Sequence, residues 1–198
     1  MGESEKSAII CPRSYVEPLP IRESFSKPQP LEIELGAGDG SFLAIWAAKN
    51  PSHNFLGVER LLGRIRKADR KIQRAGLTNA RLLRIEAGYF MEYLLPAGSA
   101  IALHIYFPDP WPKRKHWRHR LINEHFTRVA GKALQPGGTV YLRTDDQSYF
   151  AQMTEVFGKN SDFEVTNTSP ELQAVLTDFE GDFHARGVST LMAAYRKR

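Results

Sequence analysis

Leu31-Glu32-Ile33-Glu34-Leu35, followed directly by Gly36-Ala37-Gly38-Asp39-Gly40 and Ser41, decides the fold of this chain. The first five residues read as a buried strand. Glycines follow where the backbone must turn tightly and let a ligand approach with no Cβ in the way. A helix is predicted from about Ser41, and strand, glycine-rich turn and helix in that order open a doubly wound α/β sheet. Taken alone, such a turn is weak evidence, and a purely structural connection is the plainer alternative. Glu59 narrows the choice, because it closes the next apolar run, Asn54 to Val58, about 20 residues on, where a carboxylate accepts from both ribose hydroxyls of an adenosine-containing cofactor. The glycines fall as GxGxG, whereas a dinucleotide fingerprint puts its third small residue at the position of Ser41. A nicotinamide dinucleotide is therefore disfavoured but stays open. Glu86, closing a third run, is either a contact to an adenine edge or an ordinary surface glutamate.

Outward from that turn, Ala80 to Ile85, Ala100 to Phe107 and Thr139 to Leu142 read as further strands separated by helix-length segments. The fold class expected is α/β, a doubly wound, mostly parallel sheet. Phe163 to Val165 and Leu191 to Tyr195 add two final strands, the last of them antiparallel. Gly137-Gly138, after Leu134-Gln135-Pro136, closes a helix and launches the fifth strand. A helix from about Arg60 to Arg74 carries an apolar stripe of Leu61, Ile65, Ala68, Ile72 and Ala75, with a cationic stripe of Arg60, Arg64, Lys67, Lys71 and Arg74 about 100° away. Either a solvated face or a phosphate-contacting surface fits that second stripe. Residues 1–30 carry five prolines and no periodicity, so they read as an arm, extended, partly disordered or draped over a single domain spanning residues 31–198. At 198 residues and 42% hydrophobic content the chain suits one sizeable core. One cysteine, Cys11, excludes a disulfide framework and a thiolate metal cluster. No run reaches a membrane span and no secretory signal opens the chain, so a cytoplasmic protein, monomer or homodimer, is expected.

The chemistry is concentrated in Phe107-Pro108-Asp109-Pro110-Trp111-Pro112 and the run Lys113-Arg114-Lys115-His116-Trp117-Arg118-His119-Arg120. Asp109 follows the fourth strand at the carboxyl edge, where open α/β sheets place reacting groups, and its flanking prolines stiffen the loop. The run holds five of the 27 basic residues and none of the 22 acidic ones, so the formal net charge of +5 can be assigned to it. Such a run beside a fixed carboxylate reads as a polyanion grip next to a reactive centre. A solvated approach to a helix beginning near Leu121 is the plainer alternative, although cations there oppose the helix dipole. Trp111 stacks on a base or plugs the loop. Thr177-Asp178-Phe179-Glu180 matches a helix capping box. His104 reads as a hydrogen-bonded core histidine, and no metal site is expected because no His, Asp or Glu cluster has ligand spacing.

The ordered set Glu34-Leu-Gly-Ala-Gly-Asp-Gly40, Gly57-Val-Glu59, Phe107-Pro-Asp109-Pro-Trp-Pro-Lys113, Arg143-Thr-Asp145 and Thr177-Asp-Phe-Glu180 resembles the bacterial tRNA (guanine-N7)-methyltransferases. The resemblance covers nearly all of residues 31–198. It implies a class I, Rossmann-like methyltransferase that uses S-adenosylmethionine to methylate N7 of a guanine in the tRNA variable region, conventionally position 46. It further implies that Glu34, Gly36, Gly38, Gly40, Glu59, Glu86 and Asp109 line the cofactor site, with Asp109 also catalytic. Lys113, Asp145, Thr177, Asp178, Phe179 and Glu180 would contact the tRNA or its target guanine. The family usually has Asp or Asn where this chain has Glu86, and the arm before residue 31 matches no motif.

Elementary chemistry is consistent with that implication. Guanine N7 carries an in-plane lone pair, so it attacks a sulfonium methyl with no proton to remove first. What the protein must supply is alignment, and stabilisation of positive charge as it passes from sulfur to the purine. Two rival classes stand beside it: a non-catalytic RNA-binding subunit, which retention of Glu34, the three glycines and Glu59 argues against, and a nucleotide-dependent oxidoreductase.

Overall fold

A computed structural model describes residues 7–198, the side chains of Phe179, Asp182 and His184 apart. The chain divides into two compact units, Met1–Leu94 and Leu95–Arg198. Eight strands are described, four in each unit.

In the first unit β1 (Ile9–Ile10), β2 (Leu31–Leu35), β3 (Asn54–Val58) and β4 (Ala80–Leu83) lie in the order β1-β4-β3-β2, all parallel. Between them run α1 (Ser41–Lys49) and α2 (Leu62–Arg74), and a short α3 (Ala87–Tyr89) passes into a π-helical turn at Phe90–Leu94. β2 and β3 are buried at every position, as parallel strands covered on both faces should be. The helices supply that cover. Leu43 and Ala47 from α1 pack with Ile65, Ala68 and Ile72 from α2 against Phe55 and Leu82. Burying each isoleucine stabilises the unit by about 1.5–3 kcal/mol. The stripe of α2 is narrower than its periodicity suggested. Leu61 lies outside the helix at its N-cap and is 40% exposed, and Ala75 lies beyond the last turn, so neither reaches the core. Gly76, at φ +61°, ends the helix in a left-handed cap.

The segment before residue 31 packs closely on this unit. Ala8, Leu19, Ile21 and Phe25 are buried, Leu19 N–H donates to the Leu94 carbonyl, and Ile9 and Ile10 pair with Leu82 and Leu83.

In the second unit β5 (Ala100–Tyr106), α4 (Glu124–Ala133), β6 (Leu134–Thr144), α5 (Gln147–Gly158), β7 (Phe163–Thr166), α6 (Pro170–Gln173), α7 (Asp178–Ala185) and β8 (Leu191–Lys197) follow in turn. The strand order is β5-β6-β8-β7, with β5 and β6 parallel and β8 antiparallel to both its neighbours. The mostly parallel sheet with an antiparallel last strand is thus as expected. Two boundaries differ. The helix predicted near Leu121 begins at Glu124, where Asn123 accepts from Phe126 N–H at 3.0 Å. β6 starts at Leu134 rather than Thr139, because Pro136-Gly137-Gly138 forms a bulge, Ala100 pairing with Leu134 but Ala102 with Thr139.

Candidate functional site

The glycine-rich turn of the first unit is built by hydrogen bonds that converge on the ends of β2 and β3. Gly36 and Ala37 N–H both donate to the Val58 carbonyl, at 2.8 and 2.9 Å, which bends the chain sharply off β2. Gly36, Gly38 and Gly40 all have positive φ, but for different local reasons. A Cβ on Gly36 would meet nothing within 4 Å, so its side of the loop is open to a ligand, whereas one on Gly40 would lie 2.7 Å from Ala68 Cβ. Glu59 ties the loop to the next helix: its Oε2 accepts from Gly38 N–H at 3.0 Å and its Oε1 from Leu61 N–H at 2.7 Å. A carboxylate at the start of α2 also opposes the positive end of the helix dipole. Glu34 is buried within β2. Glu86 is exposed and caps α3, its two oxygens accepting from Gly88 and Tyr89 N–H at 2.8 and 2.7 Å. Asp39 accepts from Ser41, and Lys71 pairs with Asp39 and with Ser41 Oγ. Lys71 therefore belongs to the loop and leaves the cationic stripe.

This set fits an adenosyl group. Gly36, left-handed with nothing opposite it, allows backbone approach, and Glu59 retains lone pairs beyond the two it commits.

In the second unit the loop after β5 is held in a sparsely populated backbone geometry. Phe107 and Trp111 take φ of +50° and +47°, bracketing Pro108-Asp109-Pro110. Left-handed backbone costs an aromatic residue about 1–2 kcal/mol, so something else must hold it. Phe107 N–H donates to the Arg143 carbonyl at 2.8 Å, and the Pro110 carbonyl accepts from Arg120 Nε at 2.8 Å. Arg120 corrects the reading of the cationic run. Its side chain is 0% exposed. It lies over Trp117 and Tyr149, 4.4 and 4.7 Å from their centroids, and donates to Ser148 Oγ at 2.7 Å and Gln152 Oε1 at 3.0 Å. With those donors spent inside, Arg120 cannot grip a phosphate, and four exposed cations remain: Lys113, Arg114, Lys115 and Arg118. They sit on and before a 3-10 turn at Arg114–His119. Asp109 itself is exposed. Burial pushes the Tyr149 phenol well above its usual range, so it stays a neutral acceptor for Ile122 N–H, at 2.8 Å.

A second buried arginine organises the segment around Thr177–Glu180. Arg143, in β6, donates to Val175 and Leu172 carbonyls at 2.7 and 2.6 Å and pairs with Glu180 Oε2 at 2.8 Å. This draws the start of α7 onto the end of β6, beside exposed Asp145. The capping box is formed reciprocally: Glu180 N–H donates to Thr177 Oγ1 and Thr177 N–H to Glu180 Oε2, each at 3.1 Å. Glu180 is fully buried, and its Oε1 has no hydrogen-bond partner among the described residues. Asp178 is exposed, and the side chain of Phe179 lies outside the described residues. Sequence reasoning gave Arg120 and Arg143 no positioning role. His104 is a core residue, with Nδ1 2.8 Å from Tyr106 Oη and its ring stacked on Tyr141.

Among the described residues no cluster of three or more His, Cys, Asp or Glu is placed to hold a metal ion, and no helix is long and apolar enough to cross a membrane.

A family model described as "Putative methyltransferase" matches residues 28–192. The chain is 34% identical to the tRNA (guanine-N(7)-)-methyltransferase of Syntrophotalea carbinolica over 78% of its own length and 66% of that protein's. It is 31% identical to the enzyme of the same name from Alkalilimnicola ehrlichii, over 92% of its own length and 78% of the other's. The chain thus spans about two thirds of the first relative's length. In fold it is similar to the 16S rRNA methyltransferase KamB, with a TM-score of 0.64 at 15% identity over 89% of this chain and 90% of that one.

Proposed function

The chain belongs to the tRNA (guanine-N7-)-methyltransferase family and has the class I methyltransferase fold, and from that premise we propose that it transfers a methyl group from S-adenosylmethionine to N7 of a tRNA guanine, at position 46 of the variable region. The observation that carries the reading is the open, left-handed glycine loop tied through Gly38 to Glu59, in a family member that also holds Asp109 on a rigid turn. The bound cofactor would supply an electrophilic methyl on a sulfonium. Glu34, the three glycines and Glu59 hold its adenosyl part, and Glu86 stiffens the neighbouring segment by capping α3.

The remaining roles fall to the second unit. Asp109 is a fixed negative charge that favours the cation developing on the purine. It needs no proton transfer, because the N7 lone pair is already free. Asp145, exposed at the end of β6, suits the N1–H and exocyclic amine of guanine. Arg143 pairs with buried Glu180 and so fixes the start of α7 beside Asp145. Lys113, Arg114, Lys115 and Arg118 contact phosphates near the target base, and Thr177 and Asp178 contact the same substrate. The setting is cytoplasmic.

The test is nucleoside analysis of unmodified tRNA incubated with the protein and S-adenosylmethionine. It should yield 7-methylguanosine, and none when guanine 46 is replaced by adenine. Full transfer to the replaced tRNA would sink the assignment of the site.

A further inference from the structure

The solvent face of α2 is a cationic surface that the proposed chemistry does not use. Arg66, Arg70 and Arg74 recur at four-residue spacing with Lys67 beside them, all exposed, opposite the buried Ile65, Ala68 and Ile72. The row spans ~12 Å at the helical rise of 1.5 Å per residue. It differs from the stripe expected of Arg60, Arg64, Lys67, Lys71 and Arg74, because Lys71 turns to Asp39 and the outward direction is set by what is buried.

This face is not arranged to stabilise the helix. Like charges one turn apart repel, and the first turn of α2 holds no acidic residue to oppose them. The one carboxylate on the helix, Asp69, is committed elsewhere: it accepts from Ser7 Oγ, Ala8 N–H and Gln73 Nε2. None of the four outward cations has an acidic partner among the described residues. Other surface cations do have one, Lys159 with Glu155 and Arg196 with Glu164. A self-repelling row of guanidinium groups, whose planar forks suit phosphate oxygens, is complementary to a polyphosphate backbone.

We propose that the Arg66-Arg70-Arg74 row, with Lys67, binds the sugar-phosphate backbone of the RNA substrate, as a contact surface additional to Lys113–Arg118. This rests on the tRNA reading above. It also separates two tasks: the run after Asp109 positions the target base, and the α2 row adds affinity that is indifferent to sequence.

The experiment compares the full chain with the triple variant Arg66→Gln/Arg70→Gln/Arg74→Gln, measuring binding of unmodified tRNA transcript over a salt series. The slope of log affinity against log salt should fall in magnitude by about 2–3, one counterion release per lost contact. S-adenosylhomocysteine binding should be unchanged, which also reports that the variant is folded. Replacement of the same three by Lys should keep the salt slope. An unchanged slope in the Gln variant, or an equal loss in the Lys variant, would overturn the proposal. Loss of binding to anionic phospholipid vesicles with tRNA binding intact would overturn it in favour of a membrane partner. If the wild-type chain forms no 7-methylguanosine yet binds tRNA through this row, the function proposed above fails and the surface stands.

Discussion

Arg120→Met tests whether the loop bearing Asp109 is held from beneath by a buried cation. The substitution keeps much of the side-chain volume and removes every donor. The Pro110 carbonyl, Ser148 Oγ and Gln152 Oε1 each lose a partner now 2.7–3.0 Å away. These acceptors are half-buried or exposed, so each one left without a donor costs at the low end of the range, about 1 kcal/mol. Loss of the cation over Trp117 and Tyr149 adds about 1–2 kcal/mol. Opposing this, a freed Pro110 carbonyl lets the loop relax from its left-handed positions at Phe107 and Trp111, returning about 1–2 kcal/mol of strain. The net expectation is a loss of about 3 kcal/mol, seen as a urea midpoint lowered by roughly 1.5 M at an m-value of about 2 kcal/mol/M. Methyl transfer, measured where the variant is fully folded, should drop about tenfold or more in kcat as Asp109 loses its fixed position. The KM for tRNA should stay put, because Arg120 has no exposed atom to offer a phosphate. An unchanged urea midpoint together with a raised tRNA KM would refute the reasoning and return Arg120 to the polyanion grip.

Gly40→Ala places a Cβ 2.7 Å from Ala68 Cβ and 2.9 Å from its Cα at a φ of +77°, so thermal unfolding should report a loss of about 2–4 kcal/mol as α1 is pushed off α2. Glu59→Gln presents an amide donor towards Gly38 and Leu61 N–H, and calorimetry with S-adenosylhomocysteine should find affinity about tenfold weaker; unchanged affinity would remove Glu59 from the cofactor site. Asp109→Asn, at an exposed position, should leave stability within about 0.5 kcal/mol. Its single-turnover methyl transfer should slow by about 100-fold, and an unaltered rate would make Asp109 structural.

Where local pattern governs, the sequence was a good guide. The runs at Leu31–Leu35 and Asn54–Val58 became strands with those bounds because each is a short apolar stretch closed by punctuation. The capping box at Thr177–Glu180 was legible because its partners are three residues apart. Pattern misled where distant residues decide. Nothing in Lys113–Arg120 marks the last arginine as different from the others, since its partners Ser148 and Gln152 lie 28 and 32 residues away. A positive φ at Phe107 and Trp111 was equally hidden, as bulky residues ordinarily avoid that region. Pro136-Gly137-Gly138 read as a turn because those residues break isolated strands, yet pairing with β5 on both sides carries β6 through them as a bulge.

The two residues of β1 have a further consequence. Ile9 and Ile10 lie along β4, Leu82 N–H donates to the Ala8 carbonyl at 2.9 Å, and Asp69 pins Ala8 from α2. An edge strand with open N–H and C=O groups is a template for any other extended chain, and a blunt two-residue cover denies it. A version of the protein trimmed to begin at residue 31 would look tidier on paper and be stickier in the tube, with β4 offered to the next copy that met it.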